Sequence, residues 1–323
     1  MIKKDQTPLV SIIFTSYNHA EFLQQALESI LNQSYRNFEL IVVDDCSTDG
    51  SREILLKYKN HENIKLHLLE KNTGSYVKSS NYGAQKALGE FLMFAQCDDF
   101  ADPRQVELLL KALKENETVG VAYSRSNMVD KDNNIFADDY RGRERKFRLK
   151  CKTDTIISSL EMRRFLSFSC VLPNLSAALL RRELYVKVGG LPEKYLVAAD
   201  WAFWLSLSEL TNFYYLIEPL NNFRQHETTI RNKVKIQKQI LEISTIFYEH
   251  IRMHRLSGKN AQNMKFGAGF VWFSFLFLGF NAWLDCFLSV YRETFKLDKF
   301  NIVYLIGGFL IYFKEAILSK SGY

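Results

Sequence analysis

"FELIVVDDCSTDGS", residues 38–51, decides the fold. Its first six residues are apolar but for Glu39, short, and rich in β-branched side chains, the composition of a strand packed on both faces. The run stops on two adjacent carboxylates, Asp44 and Asp45, and turn formers then lead into a helical segment at 51–59. "FLMFAQCDDFADP", 91–103, repeats the layout and ends its apolar climb on Asp98 and Asp99. Adjacent carboxylates repel unless a cation or a donor hydrogen completes them. Two such pairs at two strand tips therefore point to one site facing one ligand.

Outward from these stretches the first 125 residues alternate. Strands are expected at 9–15, 38–44, 64–69, 90–95 and 119–124, and helices at 20–33, 51–59, 77–88 and from Pro103 onward. Strands alternating with helices imply an α/β protein with a mostly parallel, doubly wound central sheet, whose ligands bind beyond the carboxyl ends of the strands. Both aspartate pairs lie at such ends. The basic stretch at 141–152, seven cations against one Glu, reads as a solvated loop, order resumes over 174–226, and a polar helix is expected at 232–256.

The 323 residues suffice for one large domain or two smaller ones, and 47% hydrophobic with 24% charged residues is an ordinary folded balance. A net charge of +6 suits anionic ligands or an acidic membrane surface and is too diffuse to argue for nucleic acid. Five scattered cysteines with no C-x-x-C pair indicate neither a zinc site nor a disulfide framework, and favour a reducing compartment. The apolar run Leu9–Phe14 is too short for a signal peptide, so a cytoplasmic protein is expected.

A lone Asp after a strand is usually a cap or turn residue, and Ser47 and Asp49 fit that role before the helix at 51. The pairs fit it poorly. A hard divalent ion prefers oxygen ligands shared with substrate phosphates, so Asp98/Asp99 suggests a diphosphate–metal site, and Asp44/Asp45 hydrogen bonds to a base or ribose. No G-x-G-x-x-G follows the first strand and no P-loop is present.

"PLVSIIFTSYNHAEFLQQALESILNQSYRNFELIVVDDCSTDGS" resembles the opening of the inverting, GT-A-fold family 2 glycosyltransferases, and the similarity continues through "NTG", "SNYGAQKALGEFLMFAQCDD", "LLRRELYVKVGGLPE" and "ADWAFWL". It implies a GT-A domain over about 1–230, with a nucleotide-binding half at 8–125 and an acceptor half at 126–230. Thr15 and Tyr17 would line the nucleotide pocket, and Asp45 would contact the base with Asp44 beside it. Asp99, as the last acid of a D-x-D-like motif, would bind Mn²⁺ or Mg²⁺ on the donor diphosphate, with Asp98 next to it toward the ribose. Asp200 would be the catalytic base, with an N-cap as its plainer reading. Arg224 and His226 fall at the family's R-x-H, and Lys78 could approach phosphate or stay solvated. Gln96, Ala199 and Ser80–Asn81 depart from the family pattern. The implied reaction moves a sugar from a nucleotide-diphosphate donor, UDP-linked by preference, to a bacterial surface glycan or lipid-linked acceptor. A sugar nucleotidyltransferase and a decayed, membrane-tethered binding protein are the rival readings.

The tail, 231–323, carries uncharged runs at 266–284 and 300–313, flanked by Trp, Tyr and Lys. Helices lying on the inner face of the cell membrane are expected, against a hairpin packed on the catalytic domain, a homodimer interface, or a two-span hairpin.

Overall fold

Strands β1 (Val10–Ser16), β2 (Phe38–Asp44), β3 (Ile64–Leu68) and β4 (Phe91–Gln96) pair in parallel in the order β3-β2-β1-β4. Between them run helices α1 (Ala20–Leu31), α2 (Ser51–Leu56) and α3 (Tyr76–Ala84). The protein is described by a computed structural model at residues 7–140, 143, 145–172, 174–227, 229, 234–274 and 280–320. In β1, Val10, Ile12 and Phe14 face α1 and a fourth helix, α4 (Gln105–Glu115), while Ile13 faces α3. Every residue of β1 and β2 is buried, as two-sided packing requires. Helix α4 begins two residues beyond Pro103, which was expected to open it.

The second half of the sheet is mixed. The short β5 (Phe100–Ala101) precedes the long β6 (Val119–Val129), and β7 (Ile135–Asp138) and β8 (Thr155–Ile157) follow. Next come β9 (Ala178–Arg181) and β10 (Asn212–Arg224). Strand β9 lies antiparallel between β4 and β6, whereas β6 and β10 are parallel. A 3-10 turn at Leu175–Ala177 leads straight into β9; with no helical crossover directly before it, the strand runs back along its neighbours. The expected mostly parallel sheet thus holds for the first half and for the β6–β10 pair.

The basic stretch is not simply a loop. Residues 141, 142 and 144 lie outside the described set, but α5 (Arg145–Lys150) is helical and inserts Phe147, 1% exposed, between Phe165 and Tyr215. Its cations stay outside, with Lys150 on Glu161. Helices α6 (Ser159–Leu166), α7 (Arg182–Lys187) and α8 (Ala199–Ser208) complete this half.

The tail folds into α9 (Ile236–Met253), α10 (Gly258–Ser274), α11 (Phe280–Leu297) and α12 (Asn301–Lys320). The 19-residue apolar run is divided between the end of α10 and the start of α11, and residues 275–279 lie outside the described set, as does the expected domain boundary at 230/231. Among the described residues no helix is long and apolar enough to cross a membrane. The helices share a core with the sheet domain, where Trp201 of α8 meets Phe247 of α9 edge-on and Met264, Trp272 and Leu305 join the same cluster. A Cβ built on Gly267 of α10 would lie 1.7 Å from the Ser167 carbonyl oxygen at the end of α6, so only glycine permits this approach.

Candidate active site: a cavity at the strand tips

The chain winds outward from β1 through β2 to β3 and then crosses back to place β4 on the other side of β1, and a crevice opens between β1 and β4 where the winding reverses. A cavity of about 470 Å³ fills it, lined by Thr15, Tyr17, Asp45, Asp98, Asp99 and Asp200 among others. The three acids expected to face one ligand, Asp45, Asp99 and Asp200, do share one cavity.

Each carboxylate pair divides its labour. Asp44 points away from the cavity into the protein, where it accepts from the Ser47 amide and hydroxyl and from Arg52 Nε at 2.8 Å. It is 0% exposed and outside the lining, so the expectation that it contacts ligand is corrected: an ion pair inside the fold occupies it. Asp45 faces the cavity instead, fixed by the Thr73 amide and hydroxyl, each at 2.8 Å. The Asn72–Thr73–Gly74 turn that presents Thr73 is closed by the Gly74 amide donating to Asn72 Oδ1, with Gly74 at φ 76°. Asp49 does not cap the helix at 51 from the N-cap position, which Gly50 holds; it accepts from the Ala20 amide and ties the start of α1 to Ser51. Thr15 donates to Gln96, and Tyr17, 45% exposed, stands in the lining. Lys78 is exposed on α3 outside the lining, so it too is not brought to the cavity. Asn81, the second residue of the Ser80–Asn81 pair that departs from the family pattern, is engaged by Tyr185 and Leu191.

In the second pair, Asp99 was expected to be the metal ligand. The structure ties its oxygens to the Ser176 hydroxyl at 2.5 Å, the Asn174 amide and the Arg224 backbone N–H. Burial, then the neighbouring Asp98 charge, push its pKa upward against those bonds. His226 meets Asp98, not Asp99, with Nε2 3.1 Å from Oδ2. Although burial works to raise it, the His226 hydrogen bond and the two nearby histidines hold Asp98 below the ordinary carboxylate range. Gln96 fills the first place of the D-x-D pattern, so its last place is Asp98; the one-residue register was readable in the sequence.

His19 is the residue sequence reasoning missed. It follows the β1 tip as the N-cap residue of α1, and its ring meets that of His226 edge-on with centroids 5.0 Å apart. One ligand atom from each of His19, Asp98 and His226 lies within 4.8 Å of the others. Arg224 takes no part in the lining: all five of its N–H donors are used inside, on the carbonyls of Asp98, Asp130 and Lys131 and the side chains of Gln25 and Asn133. Across the cavity Asp200 stands in the first turn of α8, with Oδ1 accepting from the Trp201 amide.

The model of glycosyl transferase family 2 matches residues 11–172, half of the chain. The chain belongs to glycosyl transferase family 2. The hyaluronan synthase of Pasteurella multocida is 27% identical over 73% of this chain, which spans 22% of that protein. The poly(ribitol-phosphate) beta-N-acetylglucosaminyltransferase TarS of Staphylococcus aureus is 39% identical over 28% of this chain, which spans 16% of it. The structure of TarS 1–349 in complex with UDP-GlcNAc superposes with a TM-score of 0.68 at 19% identity, covering 97% of this chain and 92% of that one, and so shares the GT-A fold, C-terminal helices included. A Pyrobaculum calidifontis mannosyltransferase in complex with GDP-Man and Mn²⁺ gives 0.54 at 16% identity, over 96% of this chain and 88% of its own.

Proposed function

We propose that this family 2 member is an inverting sugar transferase that takes its sugar from a UDP-linked donor and gives it to a hydroxyl of a bacterial surface polysaccharide or lipid-linked glycan. The observation that carries the proposal is the single cavity holding Asp45, Asp98 and Asp200. Hyaluronan synthase and TarS, both makers or decorators of bacterial glycans by name, support the acceptor class, and the UDP-GlcNAc complex of TarS supports the donor. Asp45 and Tyr17 would hold the nucleoside at the β1–β2 side. Two imidazoles and a carboxylate, His19, His226 and Asp98, fit a divalent transition ion such as Mn²⁺ better than Mg²⁺, which favours an all-oxygen shell. When bound, that ion would supply positive charge for the departing diphosphate. Asp200 would take the proton of the acceptor hydroxyl from the opposite wall and so direct attack on the face away from the leaving group.

We further propose attachment to the inner face of the cell membrane through α12. Phe300, Val303, Ile306, Leu310 and Phe313 are each at least 55% exposed, and exposed Lys296, Lys299 and Lys314 rim them. These cations suit anionic headgroups, and two copies meeting here would bring like charges together. Co-sedimentation with anionic vesicles that Leu310→Glu abolishes supports this; a concentration-dependent dimer that Leu310→Glu dissolves refutes it.

The catalytic reading is tested by UDP release from a panel of UDP-sugars with Mn²⁺. Asp200→Asn should lower turnover by about 10²- to 10⁴-fold and keep UDP binding, whereas Asp98→Asn should weaken Mn²⁺-dependent UDP binding as well. An Asp200→Asn variant with undiminished turnover overturns it.

A further inference from the structure

Just before α8, the backbone amides of Leu196, Val197 and Ala198 converge on one oxygen. Glu242 Oε2, on α9, accepts all three, at 3.1, 2.8 and 3.3 Å. Consecutive amides turned to one side form a concavity suited to an anion, and here a side chain 46 to 44 residues further along the chain fills it. Two turns later on the same helix, Glu249 receives Lys194 and Tyr195 of the same loop. Both carboxylates lie seven residues apart, on one face of α9. The loop they hold is not remote: Val197 lines the cavity, and Asp200 follows two residues after the last clamped amide. On its other side α8 is held by Trp201 Nε1 donating to the Leu166 carbonyl at 2.7 Å. Glu242 is itself buried at 9% exposure, and the amides it serves run up to Ala198, the N-cap residue of α8, whose side chain makes no capping bond.

We propose that Glu242 is a positioning residue, which sets Asp200 against the acceptor hydroxyl by clamping the 196–198 backbone; this rests on the reading of Asp200 as the base. The C-terminal helices are then part of the catalytic apparatus, because the carboxylate that fixes the base loop is theirs. A base displaced by about 1 Å loses on the order of 10²-fold in rate, while the nucleotide, bound at the far wall by β1 and β2, is unaffected.

The experiment compares Glu242→Ala and Glu242→Gln with Asp200→Asn in the full chain. Expected for Glu242→Ala is a kcat lower by roughly 10- to 100-fold, with KM for the UDP-sugar within about twofold. Glu242→Gln, which keeps a neutral acceptor, should fall between. Added to Asp200→Asn, Glu242→Ala should lower the residual rate no further, since no base is left to misplace. Amide hydrogen exchange at Leu196, Val197 and Ala198 should accelerate in both Glu242 variants, with β1 and β2 amides unchanged. Unchanged exchange at the three amides refutes the clamp; accelerated exchange with wild-type kcat, or an equal further loss on Asp200→Asn, refutes the positioning role. If Glu242→Ala does not fold, Glu242→Gln carries each comparison. A wild-type protein that transfers no sugar refutes the reading of Asp200 instead, and the exchange measurement still decides the clamp.

Discussion

Replacing Arg224 by Met tests whether the floor of the cavity is built as described. The guanidinium is 1% exposed, makes five hydrogen bonds of 2.8–3.1 Å, and is flanked by the rings of Phe22 and Phe100. Met fills most of the volume, so the main loss is polar: the Asp98, Asp130 and Lys131 carbonyls lose their donors, at about 1–3 kcal/mol for each left unsatisfied. Gln25 and Asn133 can turn to other partners, and the buried Asp99 loses the favourable interaction with the Arg224 charge. A total near 4 kcal/mol lies within the range for removing one member of a buried charged network. With an unfolding entropy of about 2.1 cal/mol/K per residue, the 323-residue chain should lose about 6 °C in Tm. Because the Nε–H holds the backbone of Asp98, Mn²⁺-dependent UDP binding, followed by calorimetry, should weaken along with stability. Arg224→Lys should recover only part of both, as an ammonium has three donors and no planar fork. A Tm within about 1 °C of wild type for Arg224→Met, at unchanged UDP affinity, would show that these five bonds do not hold the site.

Asp44→Asn should lower stability by about 1.5–3 kcal/mol, because the buried carboxylate loses its charge-assisted hydrogen bonds to Arg52 and Ser47, while leaving UDP affinity near wild type, whereas Asp98→Asn should do the reverse; chemical denaturation beside calorimetry separates them. Gly267→Ala should destabilise by about 1–3 kcal/mol, because its methyl would meet the Ser167 carbonyl, and a denaturant midpoint equal to wild type would contradict that contact. Glu39 is buried; burial raises its pKa, but Lys65, the Ser11 hydroxyl and the Leu88 amide outweigh burial and hold it below 4.5. A lowered folded-state value means stability that is present above pH 4.5 and lost as the pH falls through the folded value. Glu39→Gln should therefore flatten the acid limb of a Tm–pH profile, and a limb of unchanged steepness would refute the assignment.

Periodicity and local chemistry carry the elements whose causes are local. The apolar runs at 9–15 and 38–44, the helical spacing from Phe22 to Ile30, and the turn formers after Asp45 each report backbone state within one window, and the structure places β1, one residue later at Val10–Ser16, α1 and β2 there. Sheet winding follows from their alternation, and with it the crevice at the strand tips. What no window contains is which member of each acid pair faces that crevice. Neighbouring side chains diverge at a strand end, and the partners that claim one of them are brought from elsewhere: Ser176 and Arg224 come to Asp99 from 77 and 125 residues away. His19 and His226, at opposite ends of the sheet domain, become neighbours only when β10 returns beside β5. The same holds for Glu242, whose three amides lie on a loop that the sequence leaves blank. Local propensity is read from the chain because its energy is local; the site's final polar partners depend on distances that only packing sets.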